Sequence, residues 1–150
     1  MVTEIVNDYD PHEGQQAFHD SKTKFKAAIT GIGWGKSCAG ANELIINAMQ
    51  YPRSVHCILA PNSKIMNNAT LVQFWKFCPK EFIREHKRVA NEIYLINGSK
   101  IVYLTADNER HIDRLRGIEI GSFWADEAAL FLGLLWDVLL GRLRSQHGPL

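Results

Sequence analysis

The chain has 150 residues, 46% of them hydrophobic, enough for one domain with a core of its own. Seventeen basic against sixteen acidic side chains leave a net charge of +1, so bulk charge announces no nucleic-acid partner, although a local basic patch is compatible with it. No apolar run approaches ~20 residues, which excludes a membrane-spanning helix. The amino-terminal MVTEIVNDYD carries Glu4 and Asp8 and no apolar stretch, which argues against a secretory signal and for the cytoplasm. Cys38, Cys57 and Cys78 are scattered and odd in number, and read as small buried hydrophobes in a reducing compartment. His56 and Cys57 lie in a strand pattern whose alternation sends them to opposite faces, a poor metal site.

In chain order, Pro11 suits the first turn of a short helix covering Gln15 to Asp20. A glutamine just ahead of a phosphate loop can read an adenine edge, because its amide both donates and accepts; Gln15 is the first candidate and Gln16 the second. On its own this would be a solvated helix face. Phe25 to Thr30 is a short β-type run suited to a buried parallel strand. It enters Thr30-Gly31-Ile32-Gly33-Trp34-Gly35-Lys36-Ser37, a glycine-rich loop with a Lys-Ser pair opening a helix. The phosphate-loop template is GxxxxGK(S/T); Gly35, Lys36 and Ser37 match its end, while Thr30 occupies its first glycine position. Gly31, Gly33 and Gly35 let backbone N–H groups turn inward on phosphate oxygens. The helix start and Lys36 add positive charge, and the Ser37 hydroxyl can ligate Mg²⁺. The strand before and the helix after favour this over a plain tight turn.

Cys38, Ala41, Ile45 and Ala48 continue the helix, small side chains first, until Tyr51-Pro52 ends it. Val55 to Ala60 reads as a second apolar strand, and Asn62 or Ser63 as the cap of a helix from Lys64 to about Phe77. Leu71, Trp75 and Cys78 line one face of that helix, which assigns Trp75 to the core. Glu92 to Ile96 and Lys100 to Leu104 flank Asn97-Gly98-Ser99, a β-hairpin signal because both Asn and Gly tolerate positive φ. Asp107 to Asp113 reads as a charged connection into Arg114-Leu115-Arg116-Gly117. The strand Ile118 to Ala125 closes on Asp126-Glu127. Alone, such a pair is commonly a solvated strand end. With Lys36-Ser37 upstream, Asp126 is expected to hold hydrated Mg²⁺ and Glu127 to orient or deprotonate the attacking water, which favours a hydrolase over a kinase. Leu132, Leu135, Trp136, Leu139, Leu140 and Leu143 form a last helical stripe, weakened by Gly133 and Gly141, with Arg142 and Arg144 finishing the helix.

Pro11 to Gln15, TGIGWGKS, Ala60-Pro61-Asn62-Ser63, the NGS hairpin, RLRG and FWADEAAL together resemble the ATPase domain of tailed-bacteriophage terminase large subunits, the motors that package double-stranded DNA. That family often departs from the template at the first loop position, as Thr30 does. Many members carry an arginine within the loop, where this chain has Ile32 and Trp34. The resemblance implies ATP and Mg²⁺ as ligands, double-stranded DNA, a portal protein and a small terminase subunit as partners, and a homo-oligomeric ring on the portal in the host cytoplasm. It also implies a nuclease domain, absent from this chain, and an arginine reaching across subunits, with Arg116 the first choice and Arg114 the second. For both arginines the plainer alternative is a solvated loop or a surface ion pair with Asp113 or Glu119.

The expected fold is therefore α/β, a P-loop NTPase of the ASCE/RecA-like kind: a parallel-sheet three-layer sandwich with an Asn97-Gly98 hairpin. A helicase-like DNA-dependent ATPase and a non-catalytic nucleotide-dependent interaction module are the alternative functions. The strand that such sheets insert between the phosphate-loop strand and the acidic strand comes later in sequence. No further β-run follows Asp126, and Gly148-Pro149-Leu150 looks like the start of a linker. Residues 1–150 are thus expected to be the amino-terminal part of an ATPase domain, inactive in isolation.

Overall fold

The computed structural model of the chain describes residues 7–131 and 133–143. Helix α1 (Glu13–Asp20) is followed by an irregular segment, the glycine-rich loop and helix α2 (Lys36–Gln50). Strand β1 (Val55–Ala60) leads into one helical stretch made of α3 (Ser63–Ile65), a π-helical turn (Met66–Thr70) and α4 (Leu71–Phe77). Strands β2 (Ile83–Lys87), β3 (Glu92–Leu95) and β4 (Lys100–Thr105) come next. Helix α5 (Glu109–Arg116), strand β5 (Ser122–Ala125) and helix α6 (Gly133–Arg142) complete the described chain.

The strands form one sheet in the order β2-β3-β4-β1-β5. Its centre is parallel, β1 pairing with both β4 and β5, while the hairpin adds antiparallel β3 and β2. Side-chain alternation divides the core in two. Ile58, Ala60, Ile101, Tyr103 and Trp124 pack with α2 and α4 on one face, and Cys57, Leu59, Val102 and Leu104 pack with α5 and α6 on the other. The result is the expected three-layer α/β sandwich. Asn62 caps the helix that follows β1, accepting from Ile65 N at 3.0 Å.

The hairpin forms where expected but by a different device. Only Gly98 takes a positive φ (+84°), beneath a Gly98 N–H···O=C Leu95 bond of 3.1 Å. Asn97 instead sends its amide to the Ala48 carbonyl (2.7 Å), tying the turn to the last turn of α2. The hairpin therefore anchors the far end of the loop helix.

Three readings change, and one strand is added. Residues 25–30 take no regular secondary structure and join no ladder among the described residues, and Ile29 is 94% exposed. A strand needs a hydrogen-bonding neighbour, and among the described residues β5 is the last strand of the sheet, paired with β1 alone, while the isolated Ile120–Leu143 bridge lies before it. What holds the segment is Lys26, whose ammonium reaches Glu43 on α2 (2.6 Å) and the His19 carbonyl (3.0 Å). Trp75 is 38% exposed rather than in the core; the buried ring is its neighbour Phe74, three residues from Leu71. The charged connection after Asp107 is helix α5, started by the Asn108 side chain accepting from Arg110 N at 3.0 Å. Strand β2 has no signal in the sequence, since Ile83-Arg84-Glu85-His86-Lys87 lacks apolar alternation and takes its conformation from pairing with β3. The expectations for Leu132, Arg144 and Gly148-Pro149-Leu150 lie outside the described residues.

His56 and Cys57 face opposite sides of the sheet, as alternation requires. Both ring nitrogens of the buried His56 are engaged, with Ser54 Oγ at 2.6 Å and Ser122 Oγ at 2.7 Å, so the side chain stitches β1 to β5. Burial pushes its pKa down from 6.5 to about 4. The unfolded chain takes up this proton below pH ~6.5 and the folded chain does not until about pH 4, so the contribution is complete above 6.5 and lost as the pH falls. By pH 5 the loss is expected to reach about 2 kcal/mol. Urea denaturation across this range checks it: a His56→Gln chain with the same pH slope as the parent would assign that slope to other groups.

Candidate active site

The loop from Thr30 to Gly35 ends on Gly35, whose left-handed backbone (φ +86°) starts α2 without any side-chain cap. The first N–H groups of the helix are thus left to an external acceptor, and an anion is the natural one. Gly33 is also left-handed (φ +84°), and among the described residues nothing approaches within 4 Å of where a side chain on Gly31 or Gly33 would start. Lys36 folds back into the curl, its ammonium donating to the Thr30 and Gly31 carbonyls at 3.0 Å each. Thr30 thus contributes its carbonyl, for which a glycine at that place is not required.

Across the crevice, Ser37 Oγ donates to Asp126 Oδ1 at 2.8 Å, joining residues 89 apart in sequence. Asp126 is 5% exposed, and its backbone N–H is held by the Leu59 carbonyl at 2.9 Å. The second carboxylate oxygen accepts from Thr70 Oγ1 at 2.7 Å. This donor set is all oxygen, one hydroxyl and one carboxylate, which suits a hard cation that keeps most of its waters.

The loop is braced from outside by α1. His12 Nδ1 accepts from Gly14 N and Gln15 N, so its other nitrogen carries the proton and donates to the Trp34 carbonyl at 3.0 Å. The His12 and Trp34 rings meet edge to face at 5.0 Å. Gln15 is buried; its oxygen accepts from His12 N (3.2 Å) and its nitrogen donates to the carbonyls of Gly35 (3.2 Å) and Trp34 (3.4 Å). The amide expected at an adenine edge is engaged by the loop itself, and reading a base would require it to release one of these partners. Gln16 is exposed and bonds to Asp20. Neither His12 nor Thr70 stands out in the sequence. The spacing of His12 to Gln15 at a helix start, a capping box with histidine in place of Ser or Thr, is the signal that could draw attention to the first.

Glu127 is exposed at the end of β5 with a left-handed backbone, φ +52° and ψ +42°. The two arginines of RLRG separate. Arg114 is tied inward, to Glu92 (2.7 Å) and to the Ala90 carbonyl, and fastens α5 to the β3 side of the sheet. Among the described residues Arg116 pairs only with Asp113, at 3.0 Å, an i,i+3 contact exposed on both sides and worth little. Among the described residues it makes no hydrogen bond or ion pair to the loop or to Asp126-Glu127. Lys36, Ser37, Asp126 and Gln15 are therefore gathered at one place, and Arg116 stands apart with its side chain free to turn outward.

Comparison with solved structures finds the same fold in phage large terminases. The large terminase ATPase domain of Thermus phage P74-26 superposes with a TM-score of 0.72 at 23% identity, over 93% of this chain and 62% of that one. The large terminase of a thermophilic bacteriophage superposes at 0.69 and 15% identity, over 79% of this chain and 30% of that one. Another crystal form of that second protein gives 0.72 at 12% identity, over 93% of this chain and 36% of that one. The chain thus spans less than two thirds of each of these structures. No curated protein sequence matches it. Residues 28–140, from the segment entering the loop through most of α6, match the family model described as terminase large subunit, T4likevirus-type, N-terminal, and the chain belongs to that family.

Proposed function

We propose that this chain forms the nucleotide-binding core of the motor that packages double-stranded DNA into a phage procapsid, hydrolysing ATP with Mg²⁺. The observation that carries the reading is the 2.8 Å bond between Ser37 and Asp126, which joins the loop helix to the acidic strand at the mouth of an uncapped helix start. In this reading the loop N–H groups and the Lys36 ammonium take the phosphates, exchanging the Thr30 and Gly31 carbonyls for phosphate oxygens. Ser37 and Asp126 hold Mg²⁺, which supplies charge neutralisation at the phosphates when bound. Glu127 accepts the proton of the attacking water, and His12 and Gln15 keep the loop in shape. A further strand completing the sheet between residues 25–30 and β5 is proposed to belong to a longer chain. Double-stranded DNA, a portal protein, a small subunit, a ring of copies on the portal and a site of action in the host cytoplasm are the partners and setting that go with that role.

Calorimetry on the full-length protein tests the site. Lys36→Ala is expected to weaken ATP binding in Mg²⁺ by about 10- to 100-fold, the value of charge-assisted hydrogen bonds to phosphate. An unchanged affinity would remove the loop from the nucleotide site.

A further inference from the structure

We infer that Thr70 is a positioning residue for Asp126, fixing the carboxylate so that Ser37 faces the cation with its lone pairs. The inference rests on the reading of this crevice as a nucleotide and Mg²⁺ site. Thr70 lies far in sequence from both the loop and the acidic pair. It is fully buried, and its hydroxyl donates to Asp126 Oδ2 at 2.7 Å while Ser37 donates to Oδ1 at 2.8 Å. With one donor on each oxygen, the plane of the carboxylate is pinned. Asp126 has no ion-pair partner among the described residues, so these two hydroxyls are its polar side-chain support.

The local backbone fits the same purpose. A threonine inside a helix is a weak helix former, and its hydroxyl commonly turns back to the carbonyl of the preceding turn. Here it bonds across to the strand. Thr70 ends the π-helical turn Met66–Thr70, where Leu71 N reaches back to the Met66 carbonyl. Such turns cost helix hydrogen bonding and recur at functional sites. A valine would fill the same buried volume without bringing a polar group into the core, so the packing alone gives no reason for the hydroxyl. Its partner does. With Oδ2 occupied, the carboxylate is not free to rotate, and Oδ1 goes on accepting the Ser37 proton. The lone pairs of Ser37 are then directed away from Asp126, towards the space in front of the loop.

The test compares full-length Thr70→Val and Thr70→Ser with the parent, measuring ATP affinity by calorimetry in Mg²⁺ and again in EDTA, with thermal melts of each chain. Thr70→Val is expected to lose about ten-fold in affinity with Mg²⁺ and to match the parent in EDTA. Thr70→Ser keeps the hydroxyl and is expected to stay within about two-fold of the parent in both. If Thr70→Val does not fold, Thr70→Ala against Thr70→Ser, which differ only by the hydroxyl, carries the same decision. Parent-like affinity of Thr70→Val in Mg²⁺, equal weakening of the Val and Ser chains, or equal weakening with and without metal would each overturn the positioning role. A parent whose ATP affinity does not respond to Mg²⁺ would instead overturn the reading of the site.

Discussion

Full-length protein carrying Glu127→Gln is expected to bind ATP and Mg²⁺ as the parent does and to turn it over about 10²- to 10⁴-fold more slowly, the range for loss of a positioned general base. The amide keeps the size and hydrogen-bonding shape of the side chain but neither takes a proton nor carries charge. Binding is assigned to Lys36, Ser37 and Asp126, so the loss should fall on the chemical step rather than on affinity. The backbone at this position supports a directed role. A left-handed glutamate, φ +52°, costs on the order of 1–2 kcal/mol relative to the usual regions. Locking of Asp126 by Ser37, Thr70 and the Leu59 carbonyl on one side, and the 3.0 Å Leu130 N–H···O=C Glu127 bond on the other, holds that conformation. Glu127 is exposed, so a water has access to its side chain. Phosphate release and calorimetry on the same preparations separate the two effects. Equal turnover in the two chains would take Glu127 out of the mechanism.

What the sequence disclosed about this site, and what it withheld, follows from the range of the interactions. Gly35-Lys36-Ser37 and Asp126-Glu127 are legible because each is a contiguous run whose chemistry is local, and β1 because a strand in a parallel centre is buried on both faces and reads as apolar at all its positions but His56. The hairpin is legible from Asn97-Gly98 even though only Gly98 uses its positive φ. Residues 25–30 have the composition of a strand but lack a neighbour, and pairing is a property of two segments. Strand β2 is the converse, a charged segment recruited by the free edge of β3. Trp75 and Phe74 are adjacent and both aromatic, so apolar spacing alone does not say which ring faces the sheet. Thr70 and His12 act through single hydrogen bonds to residues 56 and 22 positions away, and nothing in their immediate sequence announces those partners.

Gly40→Ala is expected to destabilise the fold by ~3 kcal/mol, because the helix that carries Ser37 touches the acidic strand at this residue. A Cβ on Gly40 would collide with Trp124 Nε1, with two more atoms of the same ring at 2.5 and 2.8 Å. The indole has little room to give. Trp124 is buried among Ala41, Leu44, Ile45 and Ile58, and its backbone sits in register with Ile58 on β1. Relief must come from α2 lifting off the sheet. The ~1 kcal/mol by which alanine outranks glycine in a helix is too small to offset this. The same lift would draw Ser37, three residues before Gly40, away from Asp126, two residues after Trp124. Loss of stability and loss of Mg²⁺-dependent affinity should therefore appear together. Gly141→Ala is the control, since none of the described residues lies within 4 Å of its Cβ position in α6, and it should leave stability unchanged or raise it by up to ~1 kcal/mol. Urea denaturation of both chains decides. A Gly40→Ala protein as stable as the parent would mean that the contact between α2 and β5 is not set by the missing side chain, and the close approach of Ser37 to Asp126 would need another cause.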